Sequence, residues 1–215
     1  LTDGAYDYFL KINMNGESIG EHLEKMADLL RVQQQRRTEE DHRSFAIEAQ
    51  KKENALIHCA QWITSTAGSS PASNPFSMLP EPLVFPVRLF TVTLIPAKTH
   101  PMPALDAVTD LITEVFDEIG GKVFLHTHED EICGLISNES LVASGRTLDK
   151  KLARLQRQVT TYFLDAPVII YHDKPLSLAE LRQDYQLCED SKALAFYVGR
   201  SAPIKATGHT VTAQP

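Results

Sequence analysis

The feature that most constrains the fold is a long stretch with almost no helix-breaking residues. From Glu17 to about Thr64 the chain has no proline, and its one glycine is Gly20. Proline removes a backbone hydrogen-bond donor and glycine lowers helix stability, whereas good helix formers dominate this stretch. The stretch therefore predicts one long helix, or two helices joined end to end.

The first part of this predicted helix carries a short apolar seam. Its members alternate at steps of four and three residues: Ile19, Leu23, Met26 and Leu30. In the same register the following positions are polar until Ile47 is reached. Such spacing is typical of helix pairing. We therefore expect a homodimer formed through this helix, with a lone solvated helix that bridges two parts of the chain as the alternative.

A proline-rich segment separates this helix from a second unit. Five prolines lie among serines between residues 65 and 86, at Pro71, Pro75, Pro80, Pro82 and Pro86. Because proline disfavours helix in the residue before it, the segment predicts a linker or an extended crossing.

The residues after this linker alternate between strand and helix patterns. Residues 87–96 are rich in β-branched and aromatic side chains, which predicts a buried strand, and residues 105–119 follow the helical period. Two strands around a short turn, a helix, a strand and a helix that opens at Ser177 follow. The order β-α-β-β-α-β-α predicts an α+β fold whose first six elements form a ferredoxin-like arrangement.

Charge, cysteine spacing and hydropathy exclude several functional classes. The net charge of −7 argues against nucleic-acid binding by this chain alone, because phosphate binding needs a concentrated basic face. Cys59, Cys133 and Cys188 form no CxxC pair, and no apolar run reaches the length of about 18 residues that a membrane span needs. We expect a cytoplasmic protein. Because the sequence begins at Leu1 without a methionine, we also expect a fragment of a longer chain.

The stretch HTHEDEICGLIS combines two histidines with three acidic residues. Alternate residues of an extended strand share a face, so His126, His128 and Asp130 could project together and hold zinc or iron. The other interpretation is a polar hairpin tip that caps a sheet. We expect the hairpin tip, and no bound metal or cofactor.

A basic cluster lies on the predicted helix that begins at Thr147. Lys150, Lys151 and Arg154 are candidate contacts for a phosphate or another anion, although a solvated helix face explains the same residues. The chain has no GxSxG, Walker or GxGxxG motif. We therefore predict no catalytic residue.

Two segments resemble parts of one class of signalling protein. The opening LTDGAYDYFLKI resembles the end of a two-component receiver domain, which would put Lys11 where receivers place the lysine that contacts the phosphoryl group. Receivers usually have proline where this chain has Ile12. The segment PLSLAELRQDYQLCEDSKALAFYVG resembles part of the degenerate GGDEF-like domains. The matching residues are Ser177, Leu178, Leu181, Tyr185, Ala193, Leu194 and Gly199.

The turn between the second and third predicted strands is similar to the one that names the GGDEF family. In active diguanylate cyclases a Gly-Gly-Asp-Glu-Phe turn approaches the nucleotide and helps to hold metal. The matching residues here are His128, Glu129, Asp130, Glu131 and Ile132. Both glycines are replaced, and Ile95-Pro96-Ala97-Lys98 offers no carboxylate where the family has a metal-ligating aspartate. The resemblance therefore implies a domain without cyclase activity.

A receiver, a long helix and a degenerate GGDEF-like domain occur in this order in AraC-family response regulators of the YesN type. The resemblance implies a receiver end in residues 1–30, a helical linker or coiled coil in 31–64, a Pro/Ser-rich linker in 65–86, a GGDEF-like domain in 87–199 and a tail in 200–215. It implies a non-catalytic region that dimerises and carries a phosphorelay signal from a cognate sensor histidine kinase to an AraC-type helix-turn-helix further along. The alternative is a module that senses a nucleotide or another small molecule without turnover.

Overall fold

The computed structural model describes residues 16–65, 74–95, 104–163 and 166–206, except the side chains of residues 16–22 and of Phe196. The chain divides into two compact units, Leu1–Lys51 and Lys52–Pro215. The first predicted segment, residues 1–15, and with it Lys11, lies outside the described residues.

A single helix, α1, runs from Gly16 to Thr64 and confirms the predicted long N-terminal helix. In the first unit its described side chains other than Met26 face solvent, and Leu23 and Leu30 are 55% and 58% exposed. In the second unit one face of the last turns of α1 is buried. The buried side chains are Ala55, Cys59, Ala60 and Ile63. The helix therefore has an exposed part in one unit and a core-forming part in the other.

The proline-rich segment packs against the second unit wherever the structure describes it. A 3-10 helix spans Pro75–Met78, and the Asn74 side chain accepts a hydrogen bond from the Phe76 amide at 3.0 Å. The Phe76 ring is fully buried and lies edge-on to Trp62, with 5.6 Å between ring centroids. Leu79 and Leu83 join the same core. Apolar side chains between the prolines thus make residues 74–86 part of the compact unit, in addition to their predicted role as a connection.

The second unit is built on a five-stranded mixed sheet. Its strands are β1 (Val87–Thr93), β2 (Lys122–His128), β3 (Glu131–Ser137), β4 (Val168–Tyr171) and β5 (Ile204–Lys205), in the spatial order β2-β3-β1-β4-β5. The pairs β1–β3, β1–β4 and β2–β3 are antiparallel, and β4–β5 is parallel. All residues of β3 are buried, as expected for a strand covered on both faces.

Helices cover both faces of the sheet. The helices are α2 (Leu105–Val115), α3 (Asn138–Ala143), α4 (Leu148–Phe163), α5 (Leu181–Ser191) and α6 (Ala195–Val198), and a 3-10 turn at Lys192–Leu194 connects the last two. One core cluster joins α2 and α4 to one face of the sheet. The other joins α5 and the end of α1 to the opposite face. The result is a mixed α+β fold in three layers, and its α+β class was predicted.

Gly134 of β3 allows an aromatic ring to lie directly on the strand. It pairs with Phe90 of β1, and a Cβ added at Gly134 would lie 2.1 Å from that ring. Phe90 in turn stacks on Phe116 with 5.4 Å between centroids. A glycine is required here because the ring occupies the space of a side chain.

Three short elements were not predicted: α3, α6 and β5. The two residues of β5 lie within the segment 200–215 that the sequence assigned to a tail, and the Ala206 amide donates to the Tyr171 carbonyl at 2.9 Å. A two-residue strand has too little alternation to be visible in a sequence. Among the described residues no helix combines the length and the apolar character that crossing a bilayer requires.

Candidate functional site

The turn between β2 and β3 contains a β-bulge. His126 pairs with Ile132, but the next pair is His128 with Glu131, so Thr127 and His128 together oppose one residue. The bulge breaks the alternation on which the predicted grouping of His126, His128 and Asp130 depended. His126 instead contacts α2, with 2.9 Å between its Nε2 atom and the Thr109 hydroxyl.

Glu131 is the central residue of the site and is fully buried. Its Oε1 atom accepts hydrogen bonds from the Thr127 hydroxyl at 2.5 Å and from the Tyr185 hydroxyl at 2.8 Å. Its Oε2 atom accepts one from the Thr93 hydroxyl at 3.1 Å and forms an ion pair with the Lys192 ammonium group. A buried carboxylate with four partners is fully satisfied, so the site is built around this charge.

A second carboxyl group, that of Glu189, shares the Lys192 ammonium group, which lies 2.7 Å from it. Burial raises the pKa of Glu131, but hydrogen bonds from Glu189, Lys192 and Thr127 outweigh it and lower the pKa to about 2. Burial and the hydrogen bond to Glu131 raise the pKa of Glu189 to about 7. The pKa values of two adjacent carboxyl groups are thus shifted in opposite directions, Glu131 downward and Glu189 upward.

The same residues are the candidates for a metal centre. Ligand atoms of His128, Glu131 and Glu189 lie within 4.8 Å of one another. His126 and Asp130, which the sequence placed with His128, do not belong to this group. Lys192 pairs with both carboxyl groups, so the positive charge that a metal would supply is already provided by a side chain. Both carboxylate oxygens of Glu131 are engaged by side chains, so neither is free for a cation.

The helix α5 connects this cluster to α1. Near its start the Arg182 guanidinium lies over the Trp62 ring of α1, 4.2 Å from the ring centroid. Three residues further on, Tyr185 holds Glu131, and Lys192 follows immediately after α5. One helix therefore contacts both the end of α1 and the β2–β3 turn.

A small cavity of about 70 Å³ lies beside the cluster. Its lining residues are Thr93, Ile95, Val168, Lys192, Ala195 and Arg200. Two of them, Thr93 and Lys192, are also partners of Glu131. The walls are otherwise apolar apart from Arg200, so the cavity suits a small ligand that has both an apolar part and a negative group.

The structure separates the three basic residues predicted as anion contacts. Lys150 and Arg154 are exposed on α4, but Lys151 is 6% exposed. The Lys151 ammonium group donates to the Val115 carbonyl at 2.8 Å and pairs with Glu118. The hydrogen bond and the charge of Lys151 lower the pKa of Glu118. Lys151 therefore joins α4 to the end of α2 and does not present its charge to an anion in solution.

The remaining predicted residues are divided between surface and core. Glu129 is exposed at the turn, whereas Ile132 is fully buried, and the Asp130 carbonyl accepts a hydrogen bond from the Leu94 amide at 2.8 Å. Of the predicted seam, Leu23 and Leu30 are exposed and Met26 is half-buried, while the Ile19 side chain lies outside the description.

Five residues of the cluster were not selected from the sequence: Thr93, Thr127, Tyr185, Glu189 and Lys192. A signal was present for three of them, because Tyr185, Glu189 and Lys192 follow steps of four and three and so share one face of a helix. That face is the buried one, and polar residues there indicate a partner across the core.

No protein-family model matches the chain, and no curated protein is similar enough to match it. The fold class and the buried carboxyl cluster are therefore the basis on which a function can be argued.

Proposed function

We propose that the chain is a non-catalytic region of a two-component response regulator that dimerises and transmits a phosphorelay signal. The observation that supports the proposal is the buried environment of Glu131. This residue is the acidic member at the fourth position of the degenerate GGDEF-like turn, and it is buried and paired with Lys192. A residue used in this way serves the packing of the domain and is not open to substrate.

The strand arrangement supports a ferredoxin-like, degenerate GGDEF-like domain. The order β2-β3-β1-β4 with antiparallel neighbours is the order expected for two split β-α-β units. In the proposed domain the cyclase reaction is lost, because two metal ions on a triphosphate need several open oxygen ligands. Thr93 and Ile95 at the end of β1 supply none.

The proposed route of the signal runs through packed side chains of the second unit. A change in the position of α1 would move Trp62, which contacts Arg182 of α5. The same helix, α5, contacts the β2–β3 turn through the hydrogen bond from Tyr185 to Glu131. Transmission of this kind needs an element with two alternative conformations. Both α1 and the β2–β3 turn must be able to shift the equilibrium between them. We assign that role to α5, because its sheet-facing side combines apolar contacts with the Glu131 cluster.

The exposed part of α1 supports a second copy of the chain as partner. Leu23 and Leu30 lie open to solvent on a helix whose side chains from residue 23 to residue 51 are all exposed except the half-buried Met26. A solvated helix with exposed leucines gains stability when a second helix covers them. In the proposed regulator a sensor histidine kinase sets the state of the receiver, and a cytoplasmic AraC-type helix-turn-helix reads the result on DNA.

Sedimentation equilibrium of the purified chain tests the proposal. We expect a reversible dimer, and we expect Leu23→Glu with Met26→Glu to shift it to monomer. The matched control, Gln35→Glu with Ala49→Glu, adds the same charge to the opposite side of α1 and should leave the dimer unchanged. A wild-type chain that stays monomeric at every accessible concentration would contradict the proposal.

A second candidate function is a sensor that binds a nucleotide or another small molecule without turnover. The cavity lined by Arg200 favours it for a small acidic ligand or one acidic group of a larger ligand, because Arg200 lies next to apolar walls there while Lys192 is already paired with Glu131 and Glu189. Calorimetric titration with nucleotides and small carboxylates should then give saturable binding that Arg200→Glu weakens. Charge reversal at the exposed Lys150 and Arg154 is the matched control, and flat titrations throughout would dismiss this candidate.

A further inference from the structure

A second stripe on α1, which has no residue in common with the apolar seam, has an unusual symmetry. Its members follow steps of four and three: Leu29, Gln33, Arg36, Glu40, Arg43 and Ile47. All of them are exposed, with Leu29 at 61% and Ile47 at 55%. Steps of this kind place the residues along one side of a helix, in the positions that face a partner in a coiled coil.

The stripe residues on one side of Thr38 are complementary to those at the same distance on its other side. Leu29 and Ile47 are equally far from Thr38, and so are Arg36 and Glu40. Two such helices side by side in opposite directions therefore bring leucine to isoleucine and arginine to glutamate. In a parallel pair in register, each residue faces its own copy, so Arg36 faces arginine and Glu40 faces glutamate. Like charges at these central positions oppose association.

The charges of the stripe have no ion-pair partner among the residues that the structure describes. Among the described residues the ion pair on this part of α1 is Arg31 with Asp28, at 3.5 Å, and no carboxylate lies within 4.0 Å of Arg36 or Arg43. An exposed pair on one helix contributes little, but a pair across a helix interface also selects its orientation. A partner helix would supply the opposite charges with which Arg36 and Glu40 form ion pairs.

We infer that a second copy of this chain packs antiparallel on α1, about a two-fold axis at the level of Thr38, whose own side chain lies on the side of the helix opposite to the stripe. Leu29 then contacts the partner's Ile47, and Arg36 pairs with the partner's Glu40. Each contact occurs twice because a two-fold interface is self-complementary. The inference rests on the proposed function for the identity of the partner, and adds the direction and register of the pairing.

The antiparallel arrangement also brings like charges together at the edges of the interface. Arg37 and Glu39 lie next to the axis, and each faces its own copy across the edge of the interface. These side chains are exposed, so solvent and salt screen the repulsion. The pairs at the centre of the stripe are closer and better shielded, and they decide the direction.

Disulfide trapping tests the direction of the pairing. The native Cys59, Cys133 and Cys188 are buried, so cysteines introduced by Leu29→Cys and by Ile47→Cys react selectively. We expect no cross-link when either variant is oxidised alone, because identical positions lie about 27 Å apart along antiparallel helices. We expect a cross-link between the two variants when they are mixed, identified by different affinity tags. Cross-linking of each variant with itself would indicate a parallel pair and overturn the inference.

Exchanging the charges of Arg36 and Glu40 is an independent test that needs no introduced cysteine. Arg36→Glu and Glu40→Arg should each raise the dimer dissociation constant about tenfold, corresponding to about 1.4 kcal/mol, while the variant with both changes should return close to wild type. In a parallel pair the double variant keeps the like charges of the wild type, so the single changes would have no such effect. A dimer without cross-links in the mixture, and without rescue, refutes only the antiparallel register. A wild-type monomer in the ultracentrifuge refutes the proposed function as well.

Discussion

The Tyr185 hydroxyl donates a hydrogen bond of 2.8 Å to the Glu131 carboxylate, and both side chains are buried. Tyr185 belongs to α5 and Glu131 begins β3, so the bond fixes the helix to the turn. Arg182 of the same helix lies on Trp62. The end of α1 and the β2–β3 turn are thereby held by one element.

Tyr185→Phe should lower the free energy of unfolding by about 1–2 kcal/mol. The substitution keeps the ring but removes a donor from a buried carboxylate, which then has Thr127 as its remaining partner on Oε1. Urea denaturation measures the change. Tyr197→Phe is the matched control because Tyr197 is 80% exposed, and equal effects of the two substitutions would show that the bond adds nothing.

Lys192→Met should destabilise the protein by about 2–4 kcal/mol, since it leaves the Glu131 charge buried without its counter-ion. Combining it with Glu131→Gln removes the uncompensated charge and should recover part of the loss. Lys150→Met removes an exposed lysine and serves as control. If Lys192→Met and Lys150→Met give the same midpoint in urea, the ion pair has no structural role.

The stability of the protein should fall as the pH rises from about 4.5 to about 7. Glu189 has its pKa raised from 4.5 to about 7 in the fold, so in this window the folded protein holds a proton that the unfolded chain has released. The lowered pKa of Glu131 acts at lower pH, where stability is lost as the pH falls toward about 2. The two groups therefore affect different windows.

Glu189→Gln isolates this effect, because the amide has nearly the same shape as the carboxyl group but does not titrate. Between pH 5 and pH 8 the variant should lose less unfolding free energy than the wild type, by about 1–3 kcal/mol. Chemical denaturation across this range measures both proteins. Identical pH profiles would mean that Glu189 is ionised throughout and shares no proton with Glu131.

Gly134→Ala should destabilise the second unit by about 2–4 kcal/mol, because the new methyl group would overlap the Phe90 ring. A control is provided by Gly120→Ala, where an added Cβ meets nothing within 4 Å. Phe90→Leu should partly rescue Gly134→Ala. Thermal unfolding followed by circular dichroism distinguishes the variants, and a Gly134→Ala protein as stable as Gly120→Ala would contradict the packing of β1 on β3.

The elements with many periodic residues could be predicted, and the short ones could not. The absence of proline fixed α1, and the helical spacing of apolar residues located α2 and α4. By contrast, β5 has two residues and gains its place from pairing with β4. Lys151 looked like an exposed charge in the sequence because its partner, Glu118, lies in a different part of the chain.

The candidate site could be predicted only in part for a related reason. The turn around Glu131 was recognised through its resemblance to a known motif, but Tyr185 lies 54 residues further along. Local sequence gives the polar stripe of α5, whereas its contact with Glu131 depends on how the helix packs on the sheet. The bulge at Thr127 also arises from strand pairing, which no single-strand pattern contains.

Hydrogen exchange of the turn amides tests the central claim most directly. The wild-type chain and the Leu23→Glu, Met26→Glu variant would be compared at a concentration where the wild type is a dimer. The account predicts that loss of the dimer changes protection in α5 and around Glu131, since α5 contacts both the end of α1 and the turn. A monomeric variant whose α5 and turn exchange at wild-type rates would contradict it, because the state of α1 would then not reach the domain.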